Sequence, residues 1–375
     1  MLTELNKRKE IKLLLLIYIF YIIGMFFMSI FTSPLFPAHY GEDSSMLMLL
    51  GKGINNGKLL YRDLFDHKGP ILFFIEALGD LIGGRIGIWI LQCIFGIISI
   101  TFLYLIWKKV NADNSEAKIK HFVLILIVTY AVFFFTFDRG NLTEEYSIPF
   151  ILGCFYLFFN YISKIKSCDK HPYSYAFVYG ICISVITFIR INNAVTICAG
   201  VLIIGIYLIA KKEYKNFIFN VFFGILGFAT VALPVILYFY FNGTLEAAFI
   251  HNFKYATNVT GQSFFEKPFV MLVRYLPMII SAIFLIPKLL NKKRKKELAD
   301  WMLAFIVIMN FIAFSFANVF FHYFAIFVPV YAVVLMRYWK FKKKSLETIL
   351  IILCTTVYLS YCGLLFGAAA YNNFI

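Results

Sequence analysis

Apolar runs of roughly twenty residues, the length of a helix that crosses a bilayer, recur along the chain between short polar stretches. The first runs from Leu13 to about Phe31 behind the basic stretch NKRKEIK. It is too long for a signal-peptide core and no small-x-small cleavage site follows it, so it reads as an uncleaved first helix. Later spans are expected near 86–107, 121–137, 146–163, 174–190, 194–210, 216–241, 269–288, 301–317, 322–339 and 348–369. That makes about eleven transmembrane helices. The fold class is all-α integral membrane, one domain over 1–375, with no stretch set aside for a soluble domain.

Charge adds a direction to these spans. The chain carries a formal charge of +15, yet 25 of its 35 Lys and Arg sit in six short clusters between apolar runs, the arrangement of the positive-inside rule. Alternate loops are therefore cytoplasmic, with the N-terminus inside and the C-terminus outside, and nucleic acid is excluded as a partner. Eleven of the 20 acidic residues fall on the other side: Glu42, Asp43, Asp63, Asp66, Glu76, Asp80, Asp138, Glu144, Glu145, Glu246 and Glu266. None lies mid-span, where ion-coupled transporters carry ionisable groups, which argues against a pump. Six of the seven cysteines lie in apolar runs and read as small core residues, with Cys168 in a polar loop and no CxxC metal pattern. A composition 61% hydrophobic and rich in Phe, Ile, Lys and Asn fits a bacterial plasma-membrane protein.

The longest stretch outside the spans, 32–85, holds two short amphipathic segments. Asp43 reads as the N-cap of a helix beginning at Ser44, and Pro70 opens a second helix in which Glu76 and Asp80 share a face. Both are expected along the membrane boundary, with YRDLFDHKGP, residues 61–70, as the turn between two surface helices. In NLTEEY, Asn141 or Thr143 is the expected cap ahead of Glu144 and Glu145.

The stretch GEDSSMLMLLGKGINNGKLLYRDLFDHKGPILFFIEALG resembles the first extracytoplasmic loop of the GT-C superfamily of polytopic glycosyltransferases, in particular the bacterial protein O-mannosyltransferases and lipid A aminoarabinose transferases. DRGNLTEEYSIPF, FIRINNA, HNFKYA and FFHYFAIFVPVY are similar to motifs of a surface-glycan branch of that group. The resemblance implies transfer of a sugar from a polyprenyl-phosphate carrier, a membrane lipid, to a glycan, lipid or wall-polymer acceptor, with inversion at the anomeric carbon. Asp43 matches the family's catalytic acid and is the expected base, with Glu42 beside it. Asp66 is the second catalytic candidate, orienting the acceptor or sharing a divalent cation with Asp43.

Lys68 matches the basic residue before the family's proline turn and is the first candidate for the donor phosphate. Arg190, with Asn193 in the same RINN motif, comes next, followed by Lys254 and Arg274. Asp63, His67, Glu144, Glu145 and His322 complete the expected substrate contacts. A lipid-linked glycan flippase or exporter, and a polysaccharide polymerase or ligase, are the alternative functions. Interfacial snorkelling for Lys68 and helix anchoring for Arg190 are the non-catalytic readings of those residues.

Overall fold

The structure is a computed structural model that describes residues 2–112, 119–165, 170–254, 274–315, 320–339 and 345–374. Over these residues the chain is helical and holds no strand. The elements in order are α1 (Leu2–Met28), α2 (Glu42–Asn55), α3 (Pro70–Gly83), α4 (Arg85–Val110), α5 (Ile119–Thr136), α6 (Thr143–Ile162) and α7 (Tyr173–Thr187). A 3₁₀ turn, Ile191–Ala194, leads into α8 (Val195–Ala210), followed by α9 (Tyr214–Phe241), α10 (Leu245–Phe249) and the π-helical turn Ile250–Lys254. Then come α11 (Leu276–Leu290), α12 (Leu298–Ser315), a 3₁₀ segment Phe321–Phe327 running into α13 (Val328–Tyr338), and α14 (Leu346–Phe374).

Each segment expected to span carries helix, and eight of these stretches are long and apolar enough to cross a membrane. The chain is thus an all-α membrane protein. Helices α7 and α11 are apolar but shorter. Helix α6, which begins with buried Glu144 and Glu145, is not among the eight.

Burial divides the helices. Helix α13 is enclosed along nearly its whole length, from Val328 to Met336 and again at Tyr338, and forms the axis of the bundle. Helices α9 and α14 instead turn Ile218, Phe222 and Ile225, and Ile349, Ile352 and Leu353, outward. An outward apolar face is unfavourable in water and stable against acyl chains. Among the described cysteines, Cys93, Cys154, Cys182, Cys354 and Cys362 are buried as expected, whereas Cys198 faces out; Cys168 lies outside the described residues.

The first loop departs from its expected form. Helix α2 begins at Glu42 with Gly41 as its cap, so Asp43 is inside the first turn and is not the N-cap. An acidic residue is favoured there by the helix dipole, and its carboxylate stays available to other partners. The turn at 61–70 is a surface connection only in its first half, where Arg62, Asp63 and Phe65 are exposed, while Tyr61, Asp66, Lys68, Gly69 and Pro70 are buried. Its backbone pairs with the end of α7, where Gly69 N donates to Ile189 O and Ile71 N to Phe188 O, both at 2.9 Å. A Cβ on Gly69 would stand 2.0 Å from Phe188 O, so only glycine permits this approach. Tyr61, held at φ 63, donates its hydroxyl to Lys68 O at 2.9 Å and receives Asn252 Nδ2 at 2.8 Å, which ties α10 and the π-turn to the same segment.

Candidate functional site

The end of the bundle that carries the first loop gathers most of the expected residues. Lys68 stands between two carboxylates, with its Nζ 3.3 Å from Asp66 Oδ2 and 3.5 Å from Asp43 Oδ1. Lys68 and Asp66 are buried, while the Asp43 side chain is 48% exposed, so Asp43 is the member of the trio that an incoming molecule can reach. His67 Nδ1 lies 3.1 Å from Asp66 Oδ1, which also accepts the Lys68 backbone N–H at 3.2 Å. Burial alone would raise the Asp66 carboxyl, but the His67 hydrogen bond and the nearby Lys68 outweigh it and hold the group below its ordinary range.

A divalent cation shared by Asp43 and Asp66 does not fit this arrangement. The Lys68 ammonium already fills the space between the two carboxylates, and a second cation there would face it without screening. Among the described residues no three His, Cys, Asp or Glu side chains converge as metal ligands.

A second cluster adjoins the first. Arg190, at the end of α7, donates from Nη1 to Glu144 Oε1 at 3.2 Å and lies 3.6 Å from the centre of the Tyr323 ring. The charge of Asp43 acts on both Arg190 and Tyr323, so the clusters share one field. Asn193 donates to Ser147 Oγ at 3.0 Å. Its Oδ1, Glu144 Oε2 and Thr143 Oγ1 are buried acceptors without a hydrogen bond among the described residues. Such groups are costly unless something supplies donors to them.

Glu145 does not join its neighbour. It points into the bundle, where its Oε2 accepts Gln92 Nε2 at 2.9 Å and Asn141 N at 3.1 Å, and Gln92 is fixed in turn by the hydroxyls of Ser29 and Thr32. The expectation that either member of the Glu pair contacts sugar therefore narrows to Glu144. Asn141 and Thr143 are not caps, since the capping position is Leu142. Asn141 instead donates to Ser44 Oγ on α2 at 3.1 Å and receives the Tyr146 hydroxyl. Residues 138–141 all have positive φ, at 44, 71, 94 and 64°, although three of them are not glycine. That run of left-handed backbone stores strain where the two clusters meet.

Several expected residues are not brought in. Asp63 is paired with its exposed neighbour Arg62 at 2.9 Å and accepts Leu59 N, which closes a local turn. Glu42 is exposed beside Asp43, and its carbonyl accepts Ser45 Oγ. His322 stacks on Phe320 with its Nδ1 3.8 Å from Asp138 Oδ2, and Arg274 lies over the Phe321 ring at 5.4 Å. Lys254 ends the π-turn, and its side chain lies outside the described residues.

Tyr323 and Gln92, which sequence reasoning passed over, are central here, as is Glu76, which it noted only for sharing a helix face with Asp80. Gln92 and Glu76 each interrupt an apolar helical run, a signal that was present in the sequence. Glu76 is fully buried on α3, a helix too short to span, and its carboxyl faces Asn141, Glu145 and Lys68. Burial drives its carboxyl up from 4.5 to about 8; Asn141 opposes the rise, the like charge of Glu145 adds to it and Lys68 opposes it.

Between 4.5 and about 8 the folded state thus holds a proton that the unfolded state has lost, so stability falls as pH rises across that window. Glu76→Gln has no such proton. The thermal midpoint of detergent-solubilised protein should decline less for the variant than for the wild type across that window. Parallel declines would show that Glu76 ionises freely.

Over residues 3–350 the chain matches the family described as the competence-induced protein Ccs4 N-terminal domain. No curated protein and no solved structure matches it.

Proposed function

The chain belongs to the competence-induced Ccs4 N-terminal domain family, and we propose that it is a GT-C-like membrane glycosyltransferase that uses a polyprenyl-phosphate sugar. In this reading about eleven spans cross a bacterial plasma membrane, the N-terminus is cytoplasmic, and the site lies on the extracytoplasmic side at the water boundary. The carrying observation is the half-open Asp43 carboxylate backed by buried Lys68 and Asp66, with Arg190, Glu144 and Tyr323 adjoining.

The chemistry follows from that arrangement. An acceptor hydroxyl approaches Asp43 and gives its proton to the carboxylate as its oxygen attacks the anomeric carbon. The bond from that carbon to the carrier phosphate breaks on the opposite face, and the phosphate leaves with the electron pair, inverting the centre. Arg190 is the candidate cation for the leaving phosphate, and a site with little water strengthens that attraction, while Lys68, closed behind Asp43, holds that carboxylate in place. The bare acceptors on Glu144 and Asn193 suit sugar hydroxyl donors.

The test uses purified protein in detergent with polyprenyl-phosphate sugars and candidate acceptors, and reads the product by mass spectrometry. Sugar transfer without any vesicle supports the enzyme. Failure to transfer, together with movement of lipid-linked glycan across reconstituted vesicles, would replace it with a flippase.

A further inference from the structure

The stretch from Phe321 to Tyr338 begins beside Arg190, through Tyr323, and crosses the bundle to its opposite end, where Arg337 and Tyr338 meet the turn between α11 and α12. That turn, NKKRKKE, residues 291–297, holds five consecutive cations, the longest such run in the chain.

The turn is built around its acids. Asp300, fully buried on the first turn of α12, accepts Glu297 N at 2.9 Å and the Tyr338 hydroxyl, and lies 3.2 Å from Arg294 Nη2 and 3.6 Å from Arg337 Nε. Glu297 is paired with Arg337. Asn291 closes the other side, where its Oδ1 accepts Lys293 N at 3.0 Å and its carbonyl accepts Arg294 N at 3.2 Å. Both carboxylates are thus engaged by the two arginines. Lys292, Lys293 and Lys295 are exposed and form no ion pair among the described residues.

Apolar surface adjoins this charge. Ile286 and Leu290, near the end of α11, and Trp301, on the first turn of α12, all face outward. An outward tryptophan and leucine at neighbouring helix ends mark a membrane boundary, and the lysines stand just beyond it, at the depth of lipid phosphates. The positive-inside rule accounts for the sign of this turn, but not for its fixed shape or for the occupied carboxylates that leave its lysines unbalanced.

We propose that the α11–α12 turn binds the headgroup of an anionic phospholipid, with Lys292, Lys293 and Lys295 on the phosphate and the acyl chains against Ile286, Leu290 and Trp301. The phosphate meets several ammonium groups on a turn that Asp300 has already ordered, so little backbone freedom is lost on binding. A choline headgroup carries a cation of its own, which the lysines repel. The assignment is independent of the glycosyltransferase reading, since it concerns the other end of the bundle.

The test titrates phosphatidylglycerol and phosphatidylcholine into the full chain in uncharged detergent micelles and follows binding by calorimetry. Phosphatidylglycerol should bind about tenfold or more tightly, since one lysine near an anionic lipid surface contributes about fivefold. Salt at about 1 M, which cuts the screening length to about 3 Å, should abolish most of that preference. The triple variant Lys292→Gln, Lys293→Gln, Lys295→Gln leaves Arg294, Asp300 and Arg337 in place and should bind the two lipids nearly alike. Lys211→Gln, Lys212→Gln, Lys215→Gln removes the same charge from the α8–α9 connection and should keep the preference. Equal binding of the two lipids by the wild type, a preference that survives the first variant, or one lost equally in the second, overturns the site. Equal affinity for free glycerol phosphate overturns the lipid as its occupant, and displacement of the lipid by polyglutamate at matched charge assigns the turn to an acidic protein instead.

Discussion

Asp43→Asn should lower the rate of sugar transfer by about 10²–10⁴-fold, the range that a positioned general base contributes. The amide keeps the size of the carboxyl and removes its charge, and with it the capacity to take a proton. Because the Asp43 side chain is 48% exposed, and Lys68 keeps its contact with buried Asp66, the variant should fold and elute as the wild type does. Asp63→Asn is the matching control, since among the described residues Asp63 is hydrogen-bonded to its neighbours Arg62 and Leu59 and not to the Asp43 cluster. Initial rates on a polyprenyl-phosphate sugar in detergent, with surface glycans analysed by mass spectrometry in the native host, provide the readout. Wild-type transfer by Asp43→Asn would remove Asp43 as the base and pass that role to another carboxylate of the cluster.

Arg190→Met should destabilise the protein by about 3–5 kcal/mol, the usual cost of leaving one member of a buried ion pair without the other. The stranded group is Glu144, which is fully buried, and whose other oxygen already lacks a partner. Methionine retains most of the packing against Tyr323, so the loss reports the charge. The double variant Arg190→Met, Glu144→Gln should recover much of the stability, because no unpaired charge remains, while staying inactive in transfer. Arg190→Lys should restore stability only in part, since an ammonium cannot both fork onto the carboxylate and lie flat on the ring. Thermal and denaturant unfolding in detergent measure these differences. An unchanged midpoint in Arg190→Met would mean that the pair of Arg190 with Glu144 contributes no net stability.

Both predictions rest on neighbours that lie far apart along the chain, and this is where sequence reading reached its limit. Asp43, Asp66 and Lys68 were legible as candidates, but the insertion of the Lys68 ammonium between two carboxylates, in place of a shared metal, follows from the burial of the turn at 61–70. That burial depends on Gly69 meeting Phe188 O, a contact with no trace in local pattern. Glu144 and Glu145 were read as one acidic pair. Successive positions on a helix point about 100° apart, and here one side chain meets Arg190 and the other meets Gln92 inside the bundle. Tyr323 was invisible as a partner because an aromatic residue in an apolar run is ordinarily core.

The sequence by itself determined the helices and their membrane character, because twenty apolar residues must satisfy their own backbone hydrogen bonds in lipid, whatever their neighbours are. It also placed the acidic residues near helix ends, since charge is excluded from the middle of a span. Only the tertiary structure decided which of those charges meet. It turned Asp43 toward open space and closed Lys68 behind it, joined Arg190 to Glu144, and buried Glu76 against Asn141 and Glu145. Pairing of that kind is set by distance and burial between separate helices, and an ionised group surrounded by protein is governed by what packing brings within a few ångströms of it.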